Sequence, residues 1–270
     1  MVDEIGRDGT AAVETEGLAR RFGDFTAVDH IDLRVRSGSF FGFLGPNGAG
    51  KSTTIKMLTG LLAPTEGAAR VLGRDVVREP LEAKRRIGVV PEDLNLFERL
   101  TGAEMLSFTG RMYGLGREDT AARSRELLEL MELDAEPRKL VVEYSHGMKK
   151  KLSLACALIH RPEILFLDEP FEGVDAVASR TLKNLLARLT ERGLTVFLTS
   201  HVLEIVERLC TDIAIISGGR LVAAGPLEEL RRGISIGGGA AGSALSLEDY
   251  FISVVGGACD AGDGALGWLG

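Results

Sequence analysis

The sequence has 270 residues, of which 45% are hydrophobic and 26% charged, and this suits one large domain or a core with a subdomain. Its net charge of −7 argues against a nucleic-acid-binding protein that works through a general basic surface. The sequence contains no apolar run long enough to span a membrane, and the polar, acidic residues 1–15 do not resemble a signal peptide.

The first predicted elements are β-strands. Apolar residues alternate over 18–35, and Gly23 breaks the pattern, which predicts short antiparallel strands. Phe40–Leu44 is an apolar run of strand length. The apolar spacing over 53–62, with Pro64 just beyond, then predicts a helix.

A glycine-rich loop between this strand and this helix fits the phosphate-loop pattern G-x-x-x-x-G-K-[ST]. Glycines let the backbone turn its N–H groups inward, and together with the positive end of the following helix these groups form a cradle for anions. In such a cradle the Lys51 ammonium reaches the β- and γ-phosphates, and the Ser52 hydroxyl binds Mg²⁺. The alternative is a plain glycine-rich turn with Lys51 in solvent, which the flanking strand and helix disfavour. The predicted phosphate-binding residues are Gly45, Pro46, Asn47, Gly48, Ala49, Gly50, Lys51, Ser52 and Thr53.

A helical section over about 93–160 interrupts the alternation of strands and helices, and we interpret it as a candidate subdomain. Thr101 and Glu104 fit a capping box at the start of its first helix. Further helices are predicted over 118–131 and 147–160.

Strands and helices alternate before this section and again after it. Asp175 is predicted to cap a helix that carries a leucine stripe and ends at Gly193, and a further helix is predicted over 202–209. The predicted strands cover 87–90, 164–167 and 195–199, followed by a hairpin of 213–216 and 221–223.

The composition changes after Arg232. Eleven of the 34 glycines lie in the last 38 residues, which predicts a loose glycine-rich tail over 233–270 in which only Leu247–Val255 is orderable. The cysteines Cys156, Cys210 and Cys259 are scattered, so we expect buried, reduced thiols rather than a disulfide or metal site.

Two carboxylates follow the apolar strand over 164–167. The carboxyl end of a buried strand delivers Asp168 and Glu169 into the crevice where open α/β sheets bind ligands. Asp168 can hold Mg²⁺ through water, and Glu169 can act as a base on the attacking water. The alternative is a strand followed by an acidic turn, which the phosphate loop upstream disfavours.

His201 follows the strand over 195–199 and can hydrogen-bond a γ-phosphate there, although local sequence alone favours a helix cap. Ser145 is a plausible N-cap of a helix whose N-terminus can bind an anion. Serine before a helix is common, so this pattern alone identifies no site. Lys149–Lys151 are expected on a solvated face.

Together these motifs resemble the ATPase subunit of an ABC transporter over residues 15–232. GPNGAGKST resembles the phosphate-binding motif, IGVVPED places Glu92 where the family has a loop glutamine, and YSHGM resembles the signature motif. ILFLDEP carries Asp168 and Glu169, EGVD carries Asp175, and TSH carries His201. Phe22 matches the aromatic residue that stacks on adenine.

The resemblance implies an α/β fold: a P-loop NTPase core with a mostly parallel sheet, an N-terminal antiparallel β subdomain and an inserted α-helical subdomain. It implies ATP and Mg²⁺, with Ser52, Glu92 and Asp168 at the metal and Glu169 and His201 as catalytic residues.

It also implies a head-to-tail homodimer, or a heterodimer, in which Ser145, Gly147 and Asp175 serve the partner's nucleotide. ATP closes this dimer and hydrolysis reopens it. The partner is a membrane-spanning permease, so the expected location is cytoplasmic, on the inner face of the membrane, and no nucleic-acid partner is expected.

Two departures from the family pattern are Glu92 and the signature YSHGM, in which His146 and Met148 replace a glycine and a glutamine. Both resemble the branch of stand-alone ATPases that serve exporters of drugs, antibiotics, sodium or polymers. One alternative is a soluble ABC-type ATPase without a transport role, such as a clamp or assembly factor. Another is a regulatory nucleotide-binding module that barely hydrolyses ATP.

Overall fold

The computed structural model describes residues 11–233 and 246–255. In this part of the chain the strands are β1 (Ala11–Phe22), β2 (Phe25–Arg36), β3 (Phe40–Leu44), β4 (Glu66–Val71), β5 (Arg74–Asp75), β6 (Ile87–Val90), β7 (Ile164–Asp168), β8 (Thr195–Ser200), β9 (Asp212–Ser217) and β10 (Arg220–Pro226). The helices are α1 (Lys51–Leu58), α2 (Pro80–Arg86), α3 (Gly102–Met112), α4 (Arg117–Leu130), α5 (His146–Leu158), α6 (Ala176–Glu191), α7 (Leu203–Leu209), α8 (Leu227–Gly233) and α9 (Leu247–Val255).

The smaller sheet has the strand order β2-β1-β4-β5 and is antiparallel. Strands β1 and β2 are joined by a tight turn at Gly23, whose φ of 56° lies in the left-handed region that glycine tolerates. This confirms the predicted antiparallel strands. Strands β4 and β5 and helix α2 were not predicted, because they are short and carry many polar residues.

The larger sheet has the order β10-β9-β3-β8-β7-β6. The neighbours from β9 to β6 run parallel, and β10 pairs antiparallel with β9 as the predicted hairpin. Every residue of β3, β7 and β8 is buried, as expected for central parallel strands covered on both faces. Because β8 lies between β3 and β7, the loops that leave these three strands meet at one edge of the sheet.

Two buried clusters cover the faces of this sheet. On one face the Phe197 ring packs against Phe41, Phe43 and Phe166, with centroids 5.3–5.5 Å apart. The other face buries residues of α5 and α6 against the same strands. Burying one such side chain contributes about 1.5–3 kcal/mol, so the sheet is a rigid base for the loops at its edge.

Helix α1 differs from its prediction at both ends. It begins at Lys51 rather than residue 53, because Gly50, with φ 109°, ends the loop as the N-cap. It ends at Leu58 rather than residue 62, because Gly60 adopts φ 66° and reverses the chain. The N–H groups of the next two residues then turn back to the Lys56 carbonyl, each at 2.9 Å.

The predicted helical section contains α3, α4 and α5, which pack against one another. The capping box is confirmed: the Glu104 N–H donates to the Thr101 hydroxyl at 3.3 Å, and the Thr101 N–H donates to the Glu104 carboxylate at 2.8 Å. The division of the chain at 93–160 and at 232 stays a prediction.

The ordered segment predicted within the tail is confirmed as α9. Its first residue, Leu247, is fully buried, and its N–H donates to Glu207 at 2.8 Å. Residues 234–245 and 256–270, on which the loose-tail prediction depends, lie outside the described residues.

Two of the three thiols match their prediction. Cys156 and Cys210 are free and buried, and burial raises the pKa of Cys156 to about 11. Cys259 lies outside the described residues. Among the helices that the structure describes, none has both the length and the apolar composition for a membrane crossing.

Candidate functional site

A cavity of about 390 Å³ opens at the edge of the large sheet where β3, β7 and β8 end. It brings together four segments that the sequence analysis assigned to one site: the glycine-rich loop, Glu92, Glu169 and His201. The lining residues are Phe25, Ala27, Asn47, Gly48, Gly50, Lys51, Ser52, Thr53, Glu92, Glu169, Glu172 and His201.

The loop conformation requires glycine at particular positions. A Cβ at Gly50 would lie 2.5 Å from the Ala27 carbonyl oxygen, and one at Gly45 would lie 2.3 Å from the Ile216 carbonyl oxygen. At Gly48 an added Cβ would have nothing within 4 Å, so only the left-handed φ of 79° favours glycine there. The tightly packed loop leads into the N-terminus of α1, where unpaired N–H groups favour anions.

Lys51 is buried although it carries a charge, with 7% of its surface exposed. Its Nζ donates to the carbonyl oxygens of Gly45 at 2.8 Å and Pro46 at 3.3 Å. It also lies 3.6 Å from Glu169 Oε1. The ammonium is therefore held over the loop by groups that phosphate oxygens are able to replace.

Thr199 of β8 hydrogen-bonds both acidic residues at the end of β7. Its hydroxyl donates to Asp168 Oδ1 at 2.6 Å and accepts the Glu169 N–H at 3.1 Å. The sequence analysis missed Thr199. Its role depends on β8 lying beside β7, with Asp168 opposite Thr199 in the register, which local sequence does not indicate.

Glu169 is buried and adopts φ 46°, an unusual conformation for a residue with a side chain. Its Oε2 lies 3.1 Å from His201 Nδ1. Its Oε1 is buried and has no hydrogen-bond partner among the described residues. A buried carboxylate oxygen left in this state in a cavity is suited to accept a proton from a water or ligand.

His201 is half-exposed and lines the cavity. The helix-cap interpretation of this residue is wrong, because the N-cap of α7 is Val202. His201 directly follows β8 instead, and its Nδ1 reaches back to Glu169.

The aromatic position at the cavity is occupied by Phe25, which the sequence analysis did not name. Its side chain is 63% exposed. Phe22, the predicted adenine-stacking residue, lies opposite Phe25 across the β1–β2 turn. The guanidinium of Arg20 lies 4.6 Å from the centre of the Phe22 ring.

Ser145, Gly147 and Asp175 form a second group at the N-termini of α5 and α6. Ser145 Oγ accepts the Met148 N–H at 3.2 Å, which confirms the predicted N-cap. Asp175 caps α6, as predicted, and its Oδ2 would lie 3.2 Å from a Cβ at Gly147. The structure brings these three residues together, and none of them lines the cavity.

The prediction that Lys149–Lys151 form a solvated face is wrong for two of the three. Lys150 and Lys151 are 3% and 7% exposed. Lys151 Nζ pairs with Glu132 Oε2 at 2.8 Å, and Lys150 Nζ donates to the Glu169 carbonyl at 3.1 Å. Lys150 is buried against the turn after β7 and Lys151 against Glu132, and sequence periodicity does not report these tertiary contacts.

Comparison with known proteins identifies the family. Residues 28–172 match the family described as ABC transporter. The chain belongs to this family. It is 41% identical over 220 residues to the daunorubicin resistance ATP-binding protein DrrA3 of Streptomyces coeruleorubidus, covering 82% of this chain and 70% of that protein. It is 38% identical over 218 residues to the linearmycin resistance ATP-binding protein LnrL of Bacillus subtilis (strain 168), covering 81% and 70%.

A solved structure of an ATP-binding subunit of an ABC transporter is 30% identical and superimposes with a TM-score of 0.81. The match covers 90% of this chain and 99% of that one. As an ABC family member, the chain is an ATP-binding ATPase with the ABC ATPase fold. The predicted family and fold class are confirmed.

Proposed function

We propose that this chain binds Mg-ATP in the cavity beside Lys51 and hydrolyses it to power a separate, membrane-embedded exporter. The observation that carries the proposal is the position of Glu169. Its two carboxylate oxygens face Lys51 at 3.6 Å and His201 at 3.1 Å. A cation for phosphate, a base for water and a second polar group thus converge at one cavity.

The triphosphate is bound by the loop over 45–53. Backbone N–H groups and the N-terminus of α1 surround its anionic oxygens. Lys51 exchanges the Gly45 and Pro46 carbonyls for β- and γ-phosphate oxygens, which form stronger, charge-assisted hydrogen bonds.

The residues near the phosphates fit a magnesium ion. Ser52 and Glu92 line the cavity, Asp168 lies at the end of β7 directly before Glu169, and their hydroxyl and carboxylate oxygens are hard ligands of the kind that Mg²⁺ prefers. Asp168 is oriented by the short hydrogen bond from Thr199. When bound, the ion neutralises charge on the phosphate oxygens.

Glu169 acts as the base. Oε1, which has no hydrogen-bond partner among the described residues, accepts a proton from the attacking water while the water oxygen bonds to the γ-phosphorus and the bridging oxygen leaves with ADP. His201 Nδ1 contacts the Glu169 carboxylate at 3.1 Å, and once nucleotide is bound His201 is the hydrogen-bond donor to the γ-phosphate. Phe22, beside Phe25, stacks on adenine.

The second group of residues serves a partner chain. Ser145 and Asp175 are exposed, and neither lines the cavity of its own chain. In a head-to-tail homodimer, the N-terminus of α5, with Ser145 and Gly147, contacts the γ-phosphate held by the other copy. The same surface would serve a heterodimer.

An exposed apolar patch suits the membrane partner. Phe97 and Phe108 are 52% and 44% exposed, and their rings meet edge to face with centroids 5.1 Å apart. Met112, on the same helix as Phe108, is 71% exposed. We place the permease contact here, so the chain works on the cytoplasmic face of the membrane. The two relatives named for antibiotic resistance favour a drug or antibiotic exporter.

The hydrolysis proposal is tested with Glu169→Gln and a matched control, Glu163→Gln. These glutamates flank β7 at its two ends, and Glu163 pairs with Arg86 at 2.6 Å. ATP turnover is expected to fall by about 100-fold or more in Glu169→Gln and to stay within about twofold of wild type in Glu163→Gln. Wild-type turnover in Glu169→Gln would overturn the assignment.

The transport proposal is tested by co-purification with a co-expressed multi-span protein encoded beside this chain. Phe108→Ser is expected to weaken capture, because it removes an apolar ring from the docking patch. Ile252→Ser, at an exposed apolar position on α9, is the control and should leave capture unchanged. Capture of soluble proteins alone by the wild-type chain would support the alternative of a clamp or assembly factor.

A further inference from the structure

Two side chains of α5 contact the turn that follows β7. Lys150 Nζ donates to the Glu169 carbonyl oxygen at 3.1 Å, and His146 Nε2 lies 3.2 Å from the Glu172 carbonyl oxygen. Residues four apart lie on the same face of a helix, so one face of α5 holds both carbonyls. The held turn starts at the glutamate that we assign as the base.

The charged side chain of Lys150 lies inside the protein rather than on its surface. It is 3% exposed, and a lysine is rarely buried without polar partners. Burial lowers its pKa, while the carboxylates of Glu172, Glu92 and Asp168 act in the opposite direction. Among the residues that the structure describes, the Glu169 carbonyl oxygen is the hydrogen-bond acceptor of the Lys150 ammonium.

The Glu169 carbonyl needs to be held because of the backbone conformation there. A φ of 46° is unfavourable for a residue with a Cβ and persists where surrounding contacts fix it. The peptide N–H of Glu169 is bound by Thr199 at 3.1 Å, and the carbonyl is bound by Lys150. These two contacts on either side of the Cα set the direction of the carboxylate.

His146 supports the other end of the turn. Its ring lies against Gly173, where an added Cβ would be 3.1 Å from His146 Cδ2. Gly173 adopts φ 66°, so the turn is tight at both of its contacts with α5. A glycine at position 146 would have no side chain to make this contact.

We propose that Lys150, supported by His146, is a positioning residue that fixes the direction of the Glu169 carboxylate and so links the N-terminus of α5 to hydrolysis. The inference rests on the proposed function, because it takes Glu169 as the base. It adds a physical link between the partner's nucleotide and this chain's own site. A nucleotide that binds at Ser145 displaces or orders α5, and α5 also holds the backbone of Glu169.

The test compares Lys150→Met, Lys150→Arg and a matched control, Lys151→Met. Lys151 is the neighbouring buried lysine, but it pairs with Glu132 and not with the turn. Lys150→Met is expected to lower kcat for ATP about 10-fold while KM stays within about twofold, because the base is misplaced and the phosphate loop is intact. Lys150→Arg keeps a donor and should restore kcat to within about threefold of wild type. Lys151→Met should leave kcat within about twofold.

His146→Ala provides a second variant, at an exposed position whose truncation leaves the core intact. It should lower kcat about threefold at unchanged KM. A wild-type kcat in both Lys150→Met and His146→Ala would overturn the inference. A rise in KM at unchanged kcat would also overturn it, as would an equal loss in Lys150→Arg.

The Glu169→Gln background separates this inference from the proposed function. If Lys150 acts through Glu169, adding Lys150→Met to Glu169→Gln lowers turnover by no more than about twofold further. ATP turnover at the wild-type rate in Glu169→Gln alone would overturn the proposed function. If Glu169→Gln lowers turnover strongly and Lys150→Met lowers it by a further factor of about 10 in that background, only the positioning role of Lys150 is overturned.

Discussion

Lys51 Nζ lies 3.6 Å from Glu169 Oε1, and both side chains are buried. At this depth the attraction between the two charges is only weakly screened by solvent. The cation that we propose binds phosphate and the carboxylate that we propose activates water therefore fix each other's position. In the proposed complex, phosphate oxygens neutralise the Lys51 charge and leave Glu169 Oε1 facing the nucleotide.

Replacing Lys51 should weaken nucleotide binding. Charge-assisted hydrogen bonds are worth about 1.5–3 kcal/mol each, so Lys51→Met should raise the Kd for Mg-ATP by at least about 10-fold. Lys56→Met is the control, because Lys56 lies on the same helix but is exposed. Titration with a fluorescent ATP analogue measures both. A Kd within about twofold of wild type in Lys51→Met would contradict this role.

Two glycines of the loop should differ in their tolerance of alanine. Gly50→Ala places a Cβ 2.5 Å from a backbone oxygen, at a φ of 109°. Gly48→Ala meets nothing within 4 Å and costs only the left-handed backbone conformation. We expect Gly50→Ala to lower the free energy of unfolding by about 2 kcal/mol or more, and Gly48→Ala by about 1 kcal/mol. Urea unfolding measures both free energies, provided that the dependence of the free energy on urea concentration is the same in both variants. Equal losses of stability would show that the packing around Gly50 does not matter.

His160 should make the protein less stable in mild acid. Its ring stacks on Tyr113 with centroids 3.6 Å apart, its Nε2 bonds to the Ile87 carbonyl at 2.9 Å, and its buried Nδ1 has no partner among the described residues. Burial lowers its pKa from 6.5, so the unfolded chain binds the proton more readily than the folded one. Stability is therefore retained above the unfolded pKa and lost as the pH falls through the folded pKa.

His160→Gln keeps an N–H donor but does not titrate in this range. The Tm of wild type should fall more than that of His160→Gln between about pH 7.5 and about pH 5.5. The other histidines are present in both proteins, so the difference isolates His160. Parallel Tm curves would show that His160 does not contribute to the pH dependence.

The sequence predicted the parts of the site that depend on local order along the chain. Gly45–Thr53 leads from a strand into the start of a helix, and Asp168 and Glu169 lie at the carboxyl end of an apolar strand, so spacing alone places them. Thr199 and Phe25 were missed, because their roles depend on which strands are neighbours and on a turn between two strands.

The errors have a common physical origin in contacts between distant segments. Lys150 and Lys151 were predicted to be solvated, since three consecutive lysines are usually exposed, yet two of them find acceptors across the fold. Helix α1 was extended to residue 62 because its apolar spacing continues. The left-handed conformation of Gly60 ends it after Leu58.

The central claim is that a nucleotide is held between two copies of this chain. The most direct measurement is the mass of Glu169→Gln in solution by light scattering, with and without saturating Mg-ATP. We expect twice the 28.9 kDa of the chain only when Mg-ATP is present, and a single chain when Ser145→Arg is added to block the N-terminus of α5. A Glu169→Gln protein that stays monomeric with Mg-ATP bound would contradict the account.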